Sequence, residues 1–350
     1  MGLTFVTALY DVGRRDPAYT ARSCETILDV ARRSTLREPV PLVVYTDPEF
    51  AAPIFEARRG LEDRTRVEVV PLEALPPWRE LARVRALREA RPLRNGNPRK
   101  DVPGYTLLGW SKLDLIDRTA RADPFGNDHV AWVDLGVGHV AHRPAGGLAA
   151  MAAAPTTRVS ACSMRYVHPS EVADRRAFCG AIRGHVCGGF FGGAATTVTR
   201  VVDAGRAEIR AALDDGVVPN DEHVLAMVIA RHRAELFRLY FGDYANVLDG
   251  YDGVHGAHAL VTQNFREALR WRDLDAAVDI GASLLDSVAR TDVEFWLELF
   301  ACAFTVGRHD VGETLARIAT EGCLPVVEGT PQAFQVDVAR ARYAPRAPVA

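Results

Sequence analysis

The sequence lacks the features that would place it in a membrane or on nucleic acid. No apolar run approaches the about 20 residues that a membrane-spanning helix needs, so we expect no membrane span. The net charge is −3 and no basic stripe stands out, which argues against a nucleic-acid partner. The first residues have no basic segment and lead directly into a strand pattern. We therefore expect no signal peptide and a cytoplasmic protein.

Several motifs of well-known enzymes are also missing. The six cysteines form no C-x-x-C pair, which argues against a zinc knuckle and a disulfide framework and favours reduced, buried thiols. No Gly-x-Ser-x-Gly motif occurs, which excludes a hydrolase with that nucleophile elbow. The first strand is followed by Asp11-Val12-Gly13-Arg14 and not by G-x-G-x-x-G. This turn argues against a Rossmann methyltransferase, which stays an alternative within the nucleotide-binding enzymes.

Lysine is scarce in this chain. Of 42 Lys and Arg residues, only Lys100 and Lys112 are lysine, whereas Arg, Ala and Gly are abundant. Such a bias is typical of drift under a GC-rich codon pool, in which a solvated Lys readily becomes Arg. A lysine that persists then marks a position where a planar guanidinium does not replace a compact ammonium. Chance survival is the alternative for each of the two.

What the sequence does contain predicts an α/β fold. It has 350 residues, 48% of them apolar, which is enough for a large core. Short β-branched runs alternate with amphipathic helices, which is the pattern of a mostly parallel central sheet flanked by helices. The predicted strands are residues 3–9, 41–47, 66–70, 129–134, 158–163, 186–193 and 236–241.

The pattern changes after residue 255. Ala/Leu-rich helices are predicted over 264–271, 275–289, 292–306 and 310–321, and turns at 272–273 and 307–310 lie about 35 residues apart. That spacing is close to the helix hairpin of tetratricopeptide repeats. We therefore predict an α/β domain over residues 1–255 and a helical extension over residues 256–350 that ends in a loose tail.

Earlier in the chain, one loop stands out by its length. Residues 91–104, between helices predicted over 78–90 and 107–119, are rich in Pro, Gly and Asn. Loops this long inside a compact domain are often functional or mobile.

Chemistry-bearing residues follow the strands at their carboxyl ends, where ligands of open α/β sheets gather. Four segments qualify. Each also has a structural alternative: Asp134 as a turn residue, the glycines as a bulged strand, and Asn220 and Asp221 as helix caps. Their order along the chain is what favours a ligand site. The segments are residues 10–14, Asp134, residues 188–193 and residues 219–223.

Two of these segments carry a resemblance to a known family. Residues 4–14, Thr-Phe-Val-Thr-Ala-Leu-Tyr-Asp-Val-Gly-Arg, and residues 130–136, Val-Ala-Trp-Val-Asp-Leu-Gly, resemble the signature segments of the bacterial HtrL/YibB-type family. That family is usually placed among the GT-A glycosyltransferases. The resemblance covers roughly residues 3–250. It implies that residues 1–255 form a GT-A-like catalytic domain, which transfers a sugar from a nucleotide-sugar donor, expected to be UDP-linked, to an unidentified acceptor.

The resemblance also implies how the donor is held. A GT-A site stabilises the leaving diphosphate with a divalent cation or with cationic side chains. The usual Asp-x-Asp motif is Asp134-Leu135-Gly136 here, without its second acid. Asp134 with a later histidine, His255 or His258, would suit Mn²⁺ or Mg²⁺, and His139 is the nearer candidate. Of these, Asp134 and His255 are the predicted metal ligands. The predicted donor contacts are Ala8, Tyr10, Arg14, Lys112, Asp134 and Gly189.

Two further roles complete the prediction. Asp221 or Glu222, at a helix start whose dipole favours an ionised carboxylate, is expected to deprotonate the acceptor hydroxyl. Phe190 and Phe191 are expected in the core by default, and the alternative is an apolar wall against a sugar face. The non-enzyme alternative is a degenerate GT-A domain that serves as a binding module, because the second aspartate is missing.

Overall fold

The structure, a computed structural model, describes residues 2–141, 147–153, 155–248, 258–285 and 293–320. These residues fall into two compact units. One comprises the described residues up to 239 together with 243–248, and the other comprises residues 240–242 and the described residues from 258 onward. His255, a predicted metal ligand, lies outside the described residues.

A seven-stranded sheet with the order β3-β2-β1-β4-β6-β5-β7 forms the centre of the α/β part. Strand β1 is parallel to β2 and β4, and β2 is parallel to β3. Strand β6 is antiparallel to both neighbours, so β5 runs in the same direction as β4. The predicted mixed α/β fold with a mostly parallel sheet is confirmed, and each strand lies within one residue of its predicted bounds. The strands are β1 Leu3–Leu9, β2 Leu42–Thr46, β3 Thr65–Val69, β4 His129–Val133, β5 Val159–Ser163, β6 Val186–Ala194 and β7 Phe237–Phe241.

Helices flank the sheet and continue through the C-terminal part. They are α1 Val12–Arg15, α2 Cys24–Arg33, α3 Pro48–Ala57, α4 Leu81–Ala90, α5 Pro103–Ala122, α6 Gly147–Ala153, α7 Arg175–Cys179, α8 Ala195–Asp214, α9 Asp221–Leu236, α10 His258–Arg270, α11 Leu274–Ala282, α12 Val293–Thr305 and α13 His309–Thr320.

Burial on both faces explains why the central strands carry continuous apolar runs. Every residue of β2 and of β4 is buried, as expected for parallel strands covered by helices on both sides. Helix α5 contributes the buried Trp110, whose indole N–H donates to the Pro219 carbonyl at 3.0 Å. This bond fixes the turn before α9 against α5, which positions the start of α9 near the edge of the sheet.

Helix boundaries differ from the prediction where caps and prolines decide them. Helix α2 begins at Cys24, because the Ser23 hydroxyl accepts a hydrogen bond from the Thr26 N–H. Helix α5 begins at Pro103, four residues before its predicted start, since proline suits the first helical turn. Helix α3 also starts at a proline, Pro48.

The second unit is helical from residue 258 onward, with no strand among the described residues 258–285 and 293–320. Arg272 (φ 58°) lies in the turn between α10 and α11, and Gly307 (φ 74°) lies between α12 and α13. The helix predicted over 275–289 ends at Ala282 and continues as a turn. In the part of the chain that the structure describes, no helix is long and apolar enough to cross a membrane.

Candidate functional site

The carboxyl ends of β1 and β4 form a switch point of the sheet. The chain leaves β1 for β2 on one side and later returns to β4 on the other side. Ligands of open α/β sheets bind in the crevice outside the strand ends at such a point. Tyr10 and Asp11 follow β1 and Asp134 follows β4, so two of the predicted segments lie at this edge.

Lys112 joins two carboxylates at the carboxyl ends of β1 and β4. Its Nζ lies 3.0 Å from Asp134 Oδ1 and 2.7 Å from Asp221 Oδ2, and it donates to the Gly188 carbonyl at 2.9 Å. The lysine is buried, whereas the Asp134 side chain is 38% exposed. We call Lys112, Asp134 and Asp221 the lysine cluster. It brings together residues of α5, β4, β6 and α9 that are far apart in the sequence.

The cap of helix α9 is formed by Asn220, which leaves the Asp221 carboxylate available to Lys112. Asn220 caps α9 through its side-chain oxygen, which accepts from the His223 N–H, and His223 Nδ1 accepts from the Asn220 N–H in return. The capping role is therefore correct for Asn220 and not for Asp221. A Cβ at Gly188 would lie 2.8 Å from Asp221 Oδ2, so β6 needs a glycine at this point.

Burial and charge act in opposite directions in the lysine cluster. Burial lowers the pKa of Lys112, but attraction by Asp134 and Asp221 outweighs it, and the pKa is raised above its usual value. Burial raises the pKa of Asp221, but attraction by Lys112 outweighs it, and the pKa is lowered. Lys112 and Asp221 are therefore both ionised near neutral pH.

Asp134 keeps one oxygen for a ligand. Its Oδ1 accepts the Trp132 indole N–H at 2.8 Å as well as the ammonium of Lys112. Its backbone N–H donates to the Gly189 carbonyl at 2.9 Å, which ties the end of β4 to β6. Oδ2 accepts no hydrogen bond from the described residues, and a Cβ at Gly189 would lie 3.6 Å from it. A rigidly held, partly exposed carboxylate oxygen results.

Glu222 stands beside the cluster with a different acidity. Burial, and then the negative charge of Asp221, raise the pKa of Glu222 to about 8. The Tyr244 hydroxyl donates a hydrogen bond to Glu222 Oε1. A carboxyl group with such a pKa is matched to proton transfer near neutral pH. The two neighbouring acids at the start of α9 thus differ: a cation holds Asp221 and lowers its pKa, whereas burial raises the pKa of Glu222.

The structure does not bring all predicted donor residues to the lysine cluster. Arg14 is exposed, and its Nη1 lies 3.0 Å from Glu49 Oε1. Tyr10 is buried at the end of β1, burial raises its pKa, and its hydroxyl has no hydrogen-bond partner among the described residues. Ala8 lies in β1 and is half-buried.

Two other expectations concern the aromatic wall and the histidines. Phe190 and Phe191 are fully buried in the core, which is the default expectation, and they form no wall against a sugar face. His139 is exposed and its Nδ1 contacts the Gly136 carbonyl and Arg22 Nη1. His258 opens α10, and nothing further is described of its side chain.

A divalent metal ion is only partly supported by the residues present. Within the described ranges, no group of three or more His, Cys, Asp or Glu side chains is placed to hold one. The ammonium of Lys112 already bridges the two nearest carboxylates. Asp134 Oδ2 accepts no hydrogen bond from the described residues and could provide one ligand.

Sequence analysis missed the aromatic residues around the cluster. Tyr105 lies on α5 seven residues before Lys112, hence two turns away on the same helix face. Burial raises the pKa of Tyr105, and its hydroxyl also interacts electrostatically with Lys112, Asp134 and Asp221. The seven-residue spacing from Lys112 could have placed Tyr105 on the same helix face as Lys112 from the sequence alone. The sequence held no signal for Tyr244.

The chain is similar to a bacterial protein family and, in its fold, to a solved structure. A family model described as "Bacterial protein of unknown function (HtrL_YibB)" matches residues 1–251. A search of curated proteins found no significant match. Among solved structures, the chain is similar to mouse xyloside xylosyltransferase 1 in its apo form, with 9% sequence identity and a TM-score of 0.37. That similarity covers 68% of this chain and 85% of the mouse chain.

Proposed function

The chain belongs to the HtrL_YibB family, and we propose that it is a GT-A-type glycosyltransferase that uses a nucleoside-diphosphate sugar, UDP-linked in the first instance, as donor. The observation that carries this proposal is the lysine cluster at the β1/β4 switch point, where a buried ammonium fixes Asp134 with one oxygen open. The resemblance of residues 4–14 and 130–136 to the family's signature segments supports the same site.

The donor is proposed to lie across the ends of β1 and β4. The segment Ala8–Arg14 borders its nucleoside, and Asp134 faces its sugar or its diphosphate. Two like charges about 4 Å apart repel by about 4 kcal/mol at an effective dielectric constant of about 20. Asp134 therefore either accepts hydrogen bonds from sugar or ribose hydroxyls, or faces the diphosphate across a cation. Lys112 lessens the repulsion by neutralising part of its charge.

If Asp134 faces the diphosphate across a cation, we propose that Mn²⁺ or Mg²⁺ would be held by Asp134 Oδ2 and by His255. Such an ion would stabilise the negative charge on the leaving diphosphate. The described residues supply only a part of its ligands. The remaining chemistry is assigned to side chains of the chain itself.

Proton transfer is proposed for Glu222. Asp221 is a poor base because Lys112 holds it and lowers its pKa. Glu222, with a pKa near 8, accepts a proton more readily once it is ionised. In an inverting displacement, Glu222 removes the proton from the acceptor hydroxyl while the acceptor oxygen bonds to the anomeric carbon. The bond from that carbon to the diphosphate breaks, and the nucleoside diphosphate leaves.

Thermal-shift screening tests the proposal. The wild-type protein is heated with UDP, GDP, ADP and CDP and with their sugar conjugates, once in EDTA and once with Mn²⁺. A ligand present at 100 times its Kd is expected to stabilise the fold by about 2.7 kcal/mol. If none of them binds at millimolar concentration in either buffer, the enzyme proposal loses to the alternative of a binding module.

A further inference from the structure

The second lysine of the chain lies beside the lysine cluster. Lys100 belongs to the loop between α4 and α5, and its Nζ lies 5.1 Å from the centre of the Tyr105 ring. Tyr105 in turn stacks on Tyr19, with ring centres 5.5 Å apart and an angle of 12° between the planes. A cation over an aromatic face is held by the ring's negative charge density and stays available to anions. Thus both lysines border the same site.

Lys100 acts on the acids of the site without pairing with them. Burial raises the pKa of Asp221 and Lys112 lowers it, and Lys100 adds to that lowering. Lys100 also opposes the increase that burial and Asp221 cause in the pKa of Glu222. Among the described residues, however, Lys100 forms no ion pair within 4.0 Å, whereas Lys112 pairs with two acids. Within the described residues, the ammonium of Lys100 thus contacts the Tyr105 ring and no carboxylate.

The charge balance of the cluster shows why such a cation matters. Lys112 contributes one positive charge and Asp134 and Asp221 contribute two negative ones, which leaves a net charge of −1. A nucleoside diphosphate adds at least two more negative charges. Without a further cation, the cluster repels the group that must leave in the proposed reaction.

The backbone that carries Lys100 is fixed. The Thr20 N–H donates to the Arg99 carbonyl at 2.9 Å, and Arg99 Nη2 donates to the Thr20 carbonyl at 2.9 Å. The Asn97 N–H donates to Asp101 Oδ2 at 2.6 Å, which closes the loop on itself. These bonds anchor the loop beside Tyr19, while the side chain of Lys100 extends over Tyr105.

We propose that Lys100 binds the diphosphate of the donor and neutralises it as it leaves. This inference rests on the proposed function, because it assigns a residue to that same site. It also gives a role to the loop of residues 91–104, to which the sequence analysis assigned no site residue.

Isothermal titration calorimetry tests Lys100. UDP, GDP and ADP are titrated into the wild-type protein, in EDTA and with Mn²⁺, and the diphosphate that binds best is then titrated into three variants. Lys100→Gln is expected to weaken its binding about tenfold in both buffers, because a charge-assisted contact is lost. Lys100→Arg keeps most of the affinity. The matched control, Arg91→Gln, removes an exposed positive charge from the same segment and stays within about twofold of wild type.

The matching nucleoside monophosphate separates a phosphate contact from a change in the loop. If Lys100 contacts the diphosphate, Lys100→Gln weakens binding of the monophosphate much less than binding of the diphosphate. Equal affinities of Lys100→Gln and wild type for the diphosphate would overturn the inference, and so would equal losses in Lys100→Gln and Arg91→Gln. A wild-type protein that binds none of the three diphosphates, nor CDP in the thermal-shift screen, refutes the proposed function itself, before any variant is measured.

Discussion

Helix α5 carries two charged clusters, and they differ in what they leave open. The lysine cluster joins Lys112 to Asp134 and Asp221 at the carboxyl ends of the central strands. The second, the arginine cluster, joins Arg206 of α8 to Asp114 and Asp117 of α5, with Nε–Oδ1 and Nη1–Oδ2 distances of 2.9 and 3.1 Å.

The acids of the arginine cluster are paired with two arginines, Arg206 and the neighbouring Arg121. Asp117 also accepts from Arg121 Nε at 3.0 Å, so two cations serve its carboxylate. A cavity of about 610 Å³ lies beside this cluster, far larger than the space of about 10 Å³ next to Lys112. Nevertheless, we place the functional site at the lysine cluster. An open carboxylate oxygen, a neighbouring acid with a raised pKa and a position at the switch point indicate chemistry better than cavity size does.

The largest expected effect on activity is that of Glu222→Gln, which removes the proposed base. Transfer should fall about 1,000-fold, since general base catalysis contributes that order of rate enhancement. The control is Asp114→Asn in the arginine cluster, which should retain activity. For the wild type, kcat/KM should rise with pH until the pKa of about 8 is passed, because Glu222 must be ionised to accept a proton. A flat profile from pH 6 to 9, or an active Glu222→Gln protein, would remove Glu222 from the mechanism.

Replacing the cation of each cluster compares their roles in stability. Lys112→Met leaves Asp221 largely buried without its partner and should lower the free energy of unfolding by about 3 kcal/mol, at the low end for a buried pair because Asp134 is partly exposed. Arg206→Met should cost about 1 kcal/mol, since Asp117 keeps Arg121 and the arginine is about one third exposed. Urea unfolding measures both. Equal losses would show that the two clusters do not differ in this respect.

Asp134→Asn tests the open carboxylate. We expect the variant to fold normally, because an amide oxygen still accepts from Trp132 and Lys112, and to lose transfer activity about 100-fold. Asp114→Asn again serves as the control. Metal dependence of the wild type separates the two arrangements: a metal bridge requires Mn²⁺ or Mg²⁺, whereas contacts to hydroxyls work in EDTA. Near-normal turnover by Asp134→Asn would take Asp134 out of the site.

The smallest effect is expected for Lys112→Arg, which preserves charge and changes shape. Three acceptors surround a compact ammonium at 2.7 to 3.0 Å in a buried position, which a planar guanidinium does not reproduce. Donor affinity or turnover should fall about tenfold. The exchange at the other cluster, Arg206→Lys, should leave both unchanged. Unchanged kinetics in Lys112→Arg would indicate that this lysine survived by chance.

The sequence predicted the sheet better than the site. Buried parallel strands leave a direct trace in apolar runs such as 130–133, so all seven strands were located, and Asp134 was placed at the end of one of them. Pairing across α5, β4 and α9 leaves no such trace. Lys112 was expected to face the donor, yet it holds Asp134 and Asp221, because three acceptors converge on it only in the folded protein. Phe190 and Phe191 lie in the core, as expected by default, because strand β6 is buried on both faces.

A crystal structure of the protein with its best-binding nucleoside diphosphate tests the central claim most directly. We expect the diphosphate at the ends of β1 and β4, with phosphate oxygens within hydrogen-bond distance of Lys100 and the lysine cluster beside them. A nucleotide bound in the larger cavity next to Arg206, or anywhere away from the β1/β4 edge, would contradict the account.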